Sequence, residues 1–86
     1  MEFEFDPVKS MSNLVKHGID FEGARELWRD PKVLIVETKG IDEPRWIAMG
    51  RIEEKDWSAV FTLRGEKIRI ISARRSRAKE VALYES

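Results

Sequence analysis

The chain has 86 residues, which is enough for one domain over residues 1–86 and too few for two domains that each hold a core. Hydrophobic residues make up 42% and charged residues 37%, which is typical of a globular protein with a highly charged surface. The absence of cysteine excludes disulfide scaffolds, cysteine-ligated zinc and thiol nucleophiles. No apolar run reaches the ~20 residues that cross a membrane, and no apolar segment follows the acidic start, so we expect a cytoplasmic protein with no membrane role.

The charges are unevenly distributed, although sixteen basic and sixteen acidic residues give a net charge of zero. Residues 64–79 carry seven basic side chains and one acidic one, whereas residues 1–63 carry nine basic and thirteen acidic ones. Five of those seven are arginines, whose guanidinium groups bind phosphate in a bidentate way. This segment therefore favours a phosphate-binding surface, with a solvated surface of ion pairs as the alternative.

The chain begins with a predicted short strand followed by a helix. Residues 3–5 alternate between aromatic and acidic side chains, as a strand does. Asp6 can cap the free amides of a helix that runs to about His17, and Gly18 can end it in the left-handed conformation. The apolar residues of this helix recur at helical spacing, and we expect the stripe that they form to face the core: Val8, Met11, Leu14 and Val15.

A second short helix is predicted between Asp20 and Pro31, because the residue before a proline disfavours the helical region. Residues 33–36, Val-Leu-Ile-Val, form a continuous apolar run that predicts a strand paired centrally or covered on both sides. After a loop at residues 39–44, the remaining pattern predicts three strands and a closing helix, at residues 46–52, 57–63, 68–73 and about 76–85. We therefore predict an α+β fold with two N-terminal helices, a mainly antiparallel sheet of about four strands and a C-terminal helix.

The predicted turn at residues 65–66 makes a geometric prediction. In a two-residue hairpin loop, Arg64 pairs with Lys67 and Thr62 pairs with Arg69. The three basic side chains then lie on one face of the sheet, and the apolar side chains of both strands lie on the other. Like charges placed directly opposite destabilise a sheet by roughly 0.2–1 kcal/mol, so this arrangement favours a bound anion such as phosphate.

We expect no metal and no cofactor. His17 is the one histidine, and no second metal ligand follows at helical or strand spacing. Glu53, Glu54 and Asp56 cluster on a turn, which is more typical of a solvated loop than of a cation site. The five glycines are scattered and form no phosphate-binding loop.

If the protein is an enzyme, the chemistry that remains is cleavage of a phosphodiester without a metal, and RNA carries its own nucleophile for this, the 2′-hydroxyl. The protein then needs a proton acceptor and cations that stabilise the charged transition state. His17 can exchange a proton near neutral pH, but at a helix end it can equally bond a last-turn carbonyl. Lys16 has the same two interpretations.

Two stretches of the chain contain sequence motifs that bear on its relationship to known proteins. The first contains Phe3-Glu4-Phe5-Asp6, Lys9, Asn13, Lys16-His17-Gly18, Phe21 and Ala24. The second contains Asp30-Pro31, Arg64-Gly65 and the segment Ile68-Arg69-Ile70-Ile71-Ser72-Ala73-Arg74-Arg75. Together they resemble the BrnT family of type II toxins over nearly the whole chain. The chain departs from the usual family pattern at Phe5, where relatives have Trp, and at Ser76-Arg77, where many have Ala-Thr.

The resemblance implies a compact RelE-like fold and a ribonuclease that inhibits translation and growth. It implies a BrnA-like antitoxin with a ribbon-helix-helix domain, which neutralises the toxin and represses the shared operon, so that operator DNA is contacted only through the antitoxin. The polar residues that match the family pattern are Lys9, Lys16, His17, Arg64, Arg69, Arg74 and Arg75.

From these we predict specific roles in an endoribonuclease. His17 transfers the proton, and Arg64 and Arg74 stabilise the phosphate. Replacing either arginine with alanine is expected to abolish cleavage and to leave the fold intact. The predicted RNA-binding residues are Lys16, Lys67, Arg69 and Arg75.

Two alternatives stay open. Residues 64–79 can bind nucleic acid without cutting it, which would give salt-dependent affinity and intact substrate. The same segment can instead receive an acidic protein partner, since arginine is also enriched at protein interfaces. The antitoxin is expected to cover this same basic face.

Overall fold

The computed structural model describes residues 1–39 and 42–86 and has the predicted α+β class. Within these ranges the elements are β1 (Glu2–Glu4), α1 (Pro7–His17), α2 (Phe21–Ala24), a 3-10 helix (Arg25–Arg29), β2 (Leu34–Thr38), β3 (Arg45–Ile52), β4 (Lys55–Arg64), β5 (Lys67–Arg75) and α3 (Ala78–Glu85). Gly40 and Ile41, in the loop predicted at residues 39–44, lie outside the described residues. None of the helices so described is long and apolar enough to cross a membrane.

In residues 1–39 and 42–86 the sheet has five strands rather than about four, in the order β1-β5-β4-β3-β2. The pairs among β2 to β5 are antiparallel as predicted, but β1 runs parallel to β5, with Phe3 opposite Ile68, which makes the sheet mixed. A three-residue strand is held by its neighbour, so its own sequence cannot specify the direction of pairing.

The prediction that residues 33–36 form a central or doubly covered strand is wrong. Among the described residues, β2 pairs only with β3 and forms one edge of the sheet. Ile35 and Val36 are 43% and 38% exposed. A continuous apolar run indicates a strand but does not determine how many neighbours the strand acquires.

The core lies between one face of the sheet and the second helical segment. Phe21 and Leu27 are almost completely buried there against Phe61 of β4 and Ile70 of β5. The predicted caps position these helices: the Asp6 carboxylate accepts from the Val8 amide (2.9 Å), and Gly18 adopts φ +84° at the end of α1.

The expected core stripe of α1 is also wrong, because Val8, Met11, Leu14 and Val15 are all exposed. The helix packs through its polar side, where Ser10 and Asn13 are buried. The Asn13 side chain donates to the Ala73 carbonyl (2.9 Å) and accepts from the Ala73 amide (3.2 Å). Because β1 pairs with β5 only as far as Arg69, the β5 edge at Ala73 is unpaired, and Asn13 satisfies it as a neighbouring strand would.

Candidate nucleic-acid interface

The β4–β5 hairpin has the predicted register. Arg64 pairs with Lys67 and Thr62 pairs with Arg69, and Gly65 turns the chain with φ +62°. This alternation places the three basic side chains on the face of the sheet opposite the core. Arg64 and Lys67 are exposed and Arg69 is partly exposed.

Arg45 of β3 extends this group, although the sequence analysis missed it. Trp46 pairs with Phe61 and stacks on it on the core face, so Arg45 lies on the opposite face beside Thr62. The Thr62 hydroxyl, which is buried, donates to the Pro44 carbonyl (2.7 Å) and joins the start of β3 to β4. Only the pairing of β3 with β4 reveals this position, because Arg45 lies far from residues 64–79 in the chain. We name Arg45, Arg64, Lys67 and Arg69 the hairpin cluster.

Two carboxylates contact the hairpin cluster from its edges. Glu4 accepts from Arg69 (2.7 Å), while Glu43 lies 3.9 Å from Arg64. Both pairs are partly exposed to solvent, and such pairs contribute only about 0–1 kcal/mol to stability. A phosphate can therefore compete for these arginines at small cost.

A second group of polar residues lines a shallow groove between α1 and β5. Its volume is about 200 Å³, and Lys9, Lys16 and His17 lie on its α1 side, with Ser72 on the strand. Lys16 and His17 occupy the last turn of α1, which Asn13 holds against the β5 edge. The groove, named here the α1–β5 groove, thus combines two cations with the one imidazole of the chain.

Arg74 lies apart from both groups and already binds a carboxylate. Its two terminal nitrogens donate to Glu80 of α3 at 2.6 and 2.8 Å, and the Glu80 carboxylate also accepts from Ser58 (3.1 Å). The hydrogen bond from Arg74 outweighs the effect of burial and lowers the pKa of Glu80 from 4.5 to about 2. The expectation that replacing Arg74 leaves the fold intact therefore lacks support, because this pair joins α3 to the sheet.

Arg75, predicted to bind RNA, lies over the ring of Trp57 (5.5 Å) and donates to the Asp56 carbonyl (3.2 Å). A larger cavity of about 590 Å³ lies at the other end of α3, away from the basic groups, and includes Arg51 and Tyr84. Arg51 of β3 donates to Glu85 of α3, which joins α3 to the sheet, and Tyr84 of α3 donates to Asp30 at the end of the 3-10 helix.

The fold does not bring the three predicted catalytic residues together. Arg64 lies opposite Lys67 at the start of β5, and His17 lines the groove beside Ser72. Five residues of strand separate these points, or about 17 Å at 3.3 Å per residue. Arg74 is two residues beyond Ser72, under α3.

Comparison with known proteins identifies the family. A family model described as "Ribonuclease toxin, BrnT, of type II toxin-antitoxin system" matches residues 5–80. The chain belongs to the BrnT family. The resemblance drawn from the sequence motifs is confirmed, and the matched range contains every predicted site residue. No curated protein matches the chain.

BrnT membership makes the chain a ribonuclease toxin and implies RNA as substrate and an antitoxin as partner. Within residues 1–39 and 42–86, no three acidic or histidine side chains lie close enough together to hold a metal ion.

Proposed function

We propose that this BrnT toxin cleaves RNA without a metal ion and that the RNA strand lies along β5. The hairpin register supports this most directly, because it aligns Arg64, Lys67 and Arg69 on one exposed sheet face. The α1–β5 groove, with Lys9 and Lys16, lies about 17 Å further along the strand. Basic grooves that bind single strands commonly cover about four or more nucleotides, a length that would span both groups.

In this proposal the groove supplies a proton acceptor and a cation. The 2′-hydroxyl of one nucleotide attacks the neighbouring phosphorus, His17 accepts the hydroxyl proton, and Lys16 stabilises the added negative charge. The bond from phosphorus to the 5′ oxygen breaks, and that oxygen takes a proton from water, while the His17 imidazolium returns its proton to the solvent. The products are a 2′,3′-cyclic phosphate and a 5′-hydroxyl end.

Arg64 then binds a phosphate of a neighbouring nucleotide, together with Lys67 and Arg69. The catalytic roles of Arg64 and Arg74 remain predictions, and enzyme kinetics can distinguish a role in catalysis from a role in RNA binding. A residue that only binds RNA raises KM when it is replaced, whereas a residue at the reacting phosphate lowers kcat. Arg74 would have to act beside its carboxylate partner Glu80.

The test is to incubate the purified toxin with a defined RNA in EDTA and to analyse the fragment ends. We expect a cyclic phosphate end, loss of kcat in His17→Gln and a raised KM in Arg64→Ala. Arg29→Ala is the matched control, because Arg29 is an exposed arginine of the 3-10 helix. RNA that is bound and intact, with ribosomes as well as without them, would favour a non-catalytic binding module instead.

The resemblance supports a RelE-like toxin fold and a BrnA-like antitoxin with a ribbon-helix-helix domain. The antitoxin should then bind operator DNA alone and carry the toxin to it, whereas the toxin alone should not bind. A gel-shift experiment with toxin, antitoxin and their mixture tests this. DNA binding by the toxin alone would contradict it.

A further inference from the structure

α1 presents a row of apolar side chains to solvent. Val8, Met11 and Val15 are 75%, 60% and 86% exposed, and their spacing of three and four residues places them on one side of the helix. Ser10 and Asn13, which face the opposite way, are buried and hydrogen-bonded to Phe21 and Ala73. This row, named here the α1 stripe, therefore cannot turn inward without breaking those bonds.

The charged side chains of α1 itself have a single sign. α1 contains no acidic residue, and Lys9 and Lys16 lie along one flank, between the stripe and the α1–β5 groove. Neither lysine forms an ion pair with any residue in the described ranges. The complement of this surface is a segment with apolar side chains on one side and carboxylates at its edge.

We infer that the α1 stripe is the docking surface for such a segment of the antitoxin. Family membership supplies the partner, and the pattern of an apolar row with two free lysines specifies its chemistry. The apolar side chains of the antitoxin cover Val8, Met11 and Val15, while its carboxylates bind Lys9 and Lys16. Because these lysines line the groove, the bound segment also blocks the entry of RNA.

A second copy of the toxin fits this surface less well. If two α1 helices packed antiparallel through their stripes, a two-fold axis would bring the lysines of both copies to the same side. Like charges placed together oppose that pairing. Blocking of the groove rests on the proposed function, whereas docking on the stripe does not.

The test uses the toxin and the antitoxin encoded in the same operon. Val8→Ser combined with Val15→Ser should weaken antitoxin binding by about tenfold or more in calorimetry, because exposed apolar anchors are removed. Leu83→Ser on α3 is the matched control, since Leu83 is 51% exposed on another helix. Cleavage by the free double variant should equal that of the wild type, and its RNA cleavage should continue at antitoxin concentrations that inhibit the wild type.

Wild-type affinity in the double variant would overturn the inference. So would a double variant that keeps antitoxin affinity but loses self-association in light scattering, or loses binding to phosphatidylserine vesicles. If the wild type cleaves no RNA but the double variant still loses the antitoxin, docking stands and blocking of the groove is wrong. Circular dichroism and thermal unfolding verify that each variant is folded.

Discussion

The two ends of β5 carry the same kinds of residue and use them differently. At the start of the strand, Lys67 and its pairing partner Arg64, the last residue of β4, project into solvent, and the nearest carboxylate of Arg64 is 3.9 Å away. At its end, Arg74 is held by Glu80 at 2.6 Å and Arg75 lies over Trp57. The sequence presents residues 64–79 as one basic segment, but Arg64 and Lys67 are more accessible to an anion than Arg74 and Arg75. Arginines that are close in the chain thus differ in how accessible they are to an anion, because the fold leaves Arg64 exposed with a distant carboxylate and holds Arg74 in a partly buried ion pair.

The largest expected difference between the two ends of β5 is in how the stability of the fold depends on pH in acid. Glu80 has a pKa of about 2 in the folded protein against 4.5 ordinarily, so its ionised form stabilises the fold above pH 4.5. This contribution, up to about 3 kcal/mol, should be lost as the pH falls from 4.5 towards 2. Urea unfolding across this range measures it, and Glu80→Gln should flatten the profile. An unchanged profile in that variant would mean that the pair does not stabilise α3.

Arg74→Ala should destabilise the fold by about 2 kcal/mol, because it leaves a partly buried carboxylate without its charged donor. Urea unfolding at pH 7 provides the measurement, with Arg64→Ala, opposite the start of β5, as the control. Arg64→Ala should change stability by less than about 0.5 kcal/mol, since its pair is exposed. Equal effects of the two substitutions would remove the distinction between the ends.

Arg64→Ala combined with Lys67→Ala should weaken RNA binding by about tenfold and lower the slope of log affinity against log salt by about 1.4, or about 0.7 for each phosphate that the variant no longer neutralises. Fluorescence anisotropy with a labelled RNA at several salt concentrations measures both values. The same double substitution at Arg25 and Arg29, which pair with Glu22 and Glu26, is the control. An unchanged slope would mean that RNA does not bind the hairpin cluster.

The smallest expected effect is at Arg75. Arg75→Gln removes the cation–π interaction with the Trp57 ring and should cost about 0.5 kcal/mol of stability. The affinity for RNA should stay close to that of the wild type, because this guanidinium already has a partner within the fold. If Arg75→Gln lowered the RNA affinity as much as the double substitution at Arg64 and Lys67, Arg75 would bind RNA as the sequence predicted.

The sequence predicted much of the hairpin side of this comparison. The register at Gly65 follows from a two-residue loop, and it correctly placed Arg64, Lys67 and Arg69 on one face. The sequence did not predict that Arg45 belongs to the hairpin cluster, because the pairing of β3 with β4 brings it to this face from a distant part of the chain. The Arg74–Glu80 ion pair was not predicted for a similar reason, since it depends on how α3 docks on the sheet.

The sequence by itself determined those features that neighbouring residues control: the Asp6 and Gly18 caps of α1, the β4–β5 turn and the motifs of the BrnT family. The tertiary structure alone decided which side of each element is buried. α1 turns its apolar side to solvent because the unpaired β5 edge at Ala73 requires hydrogen bonds that Asn13 supplies. A cap or a tight turn is satisfied within a few residues of backbone, whereas the burial of a face depends on partners that only the assembled sheet provides.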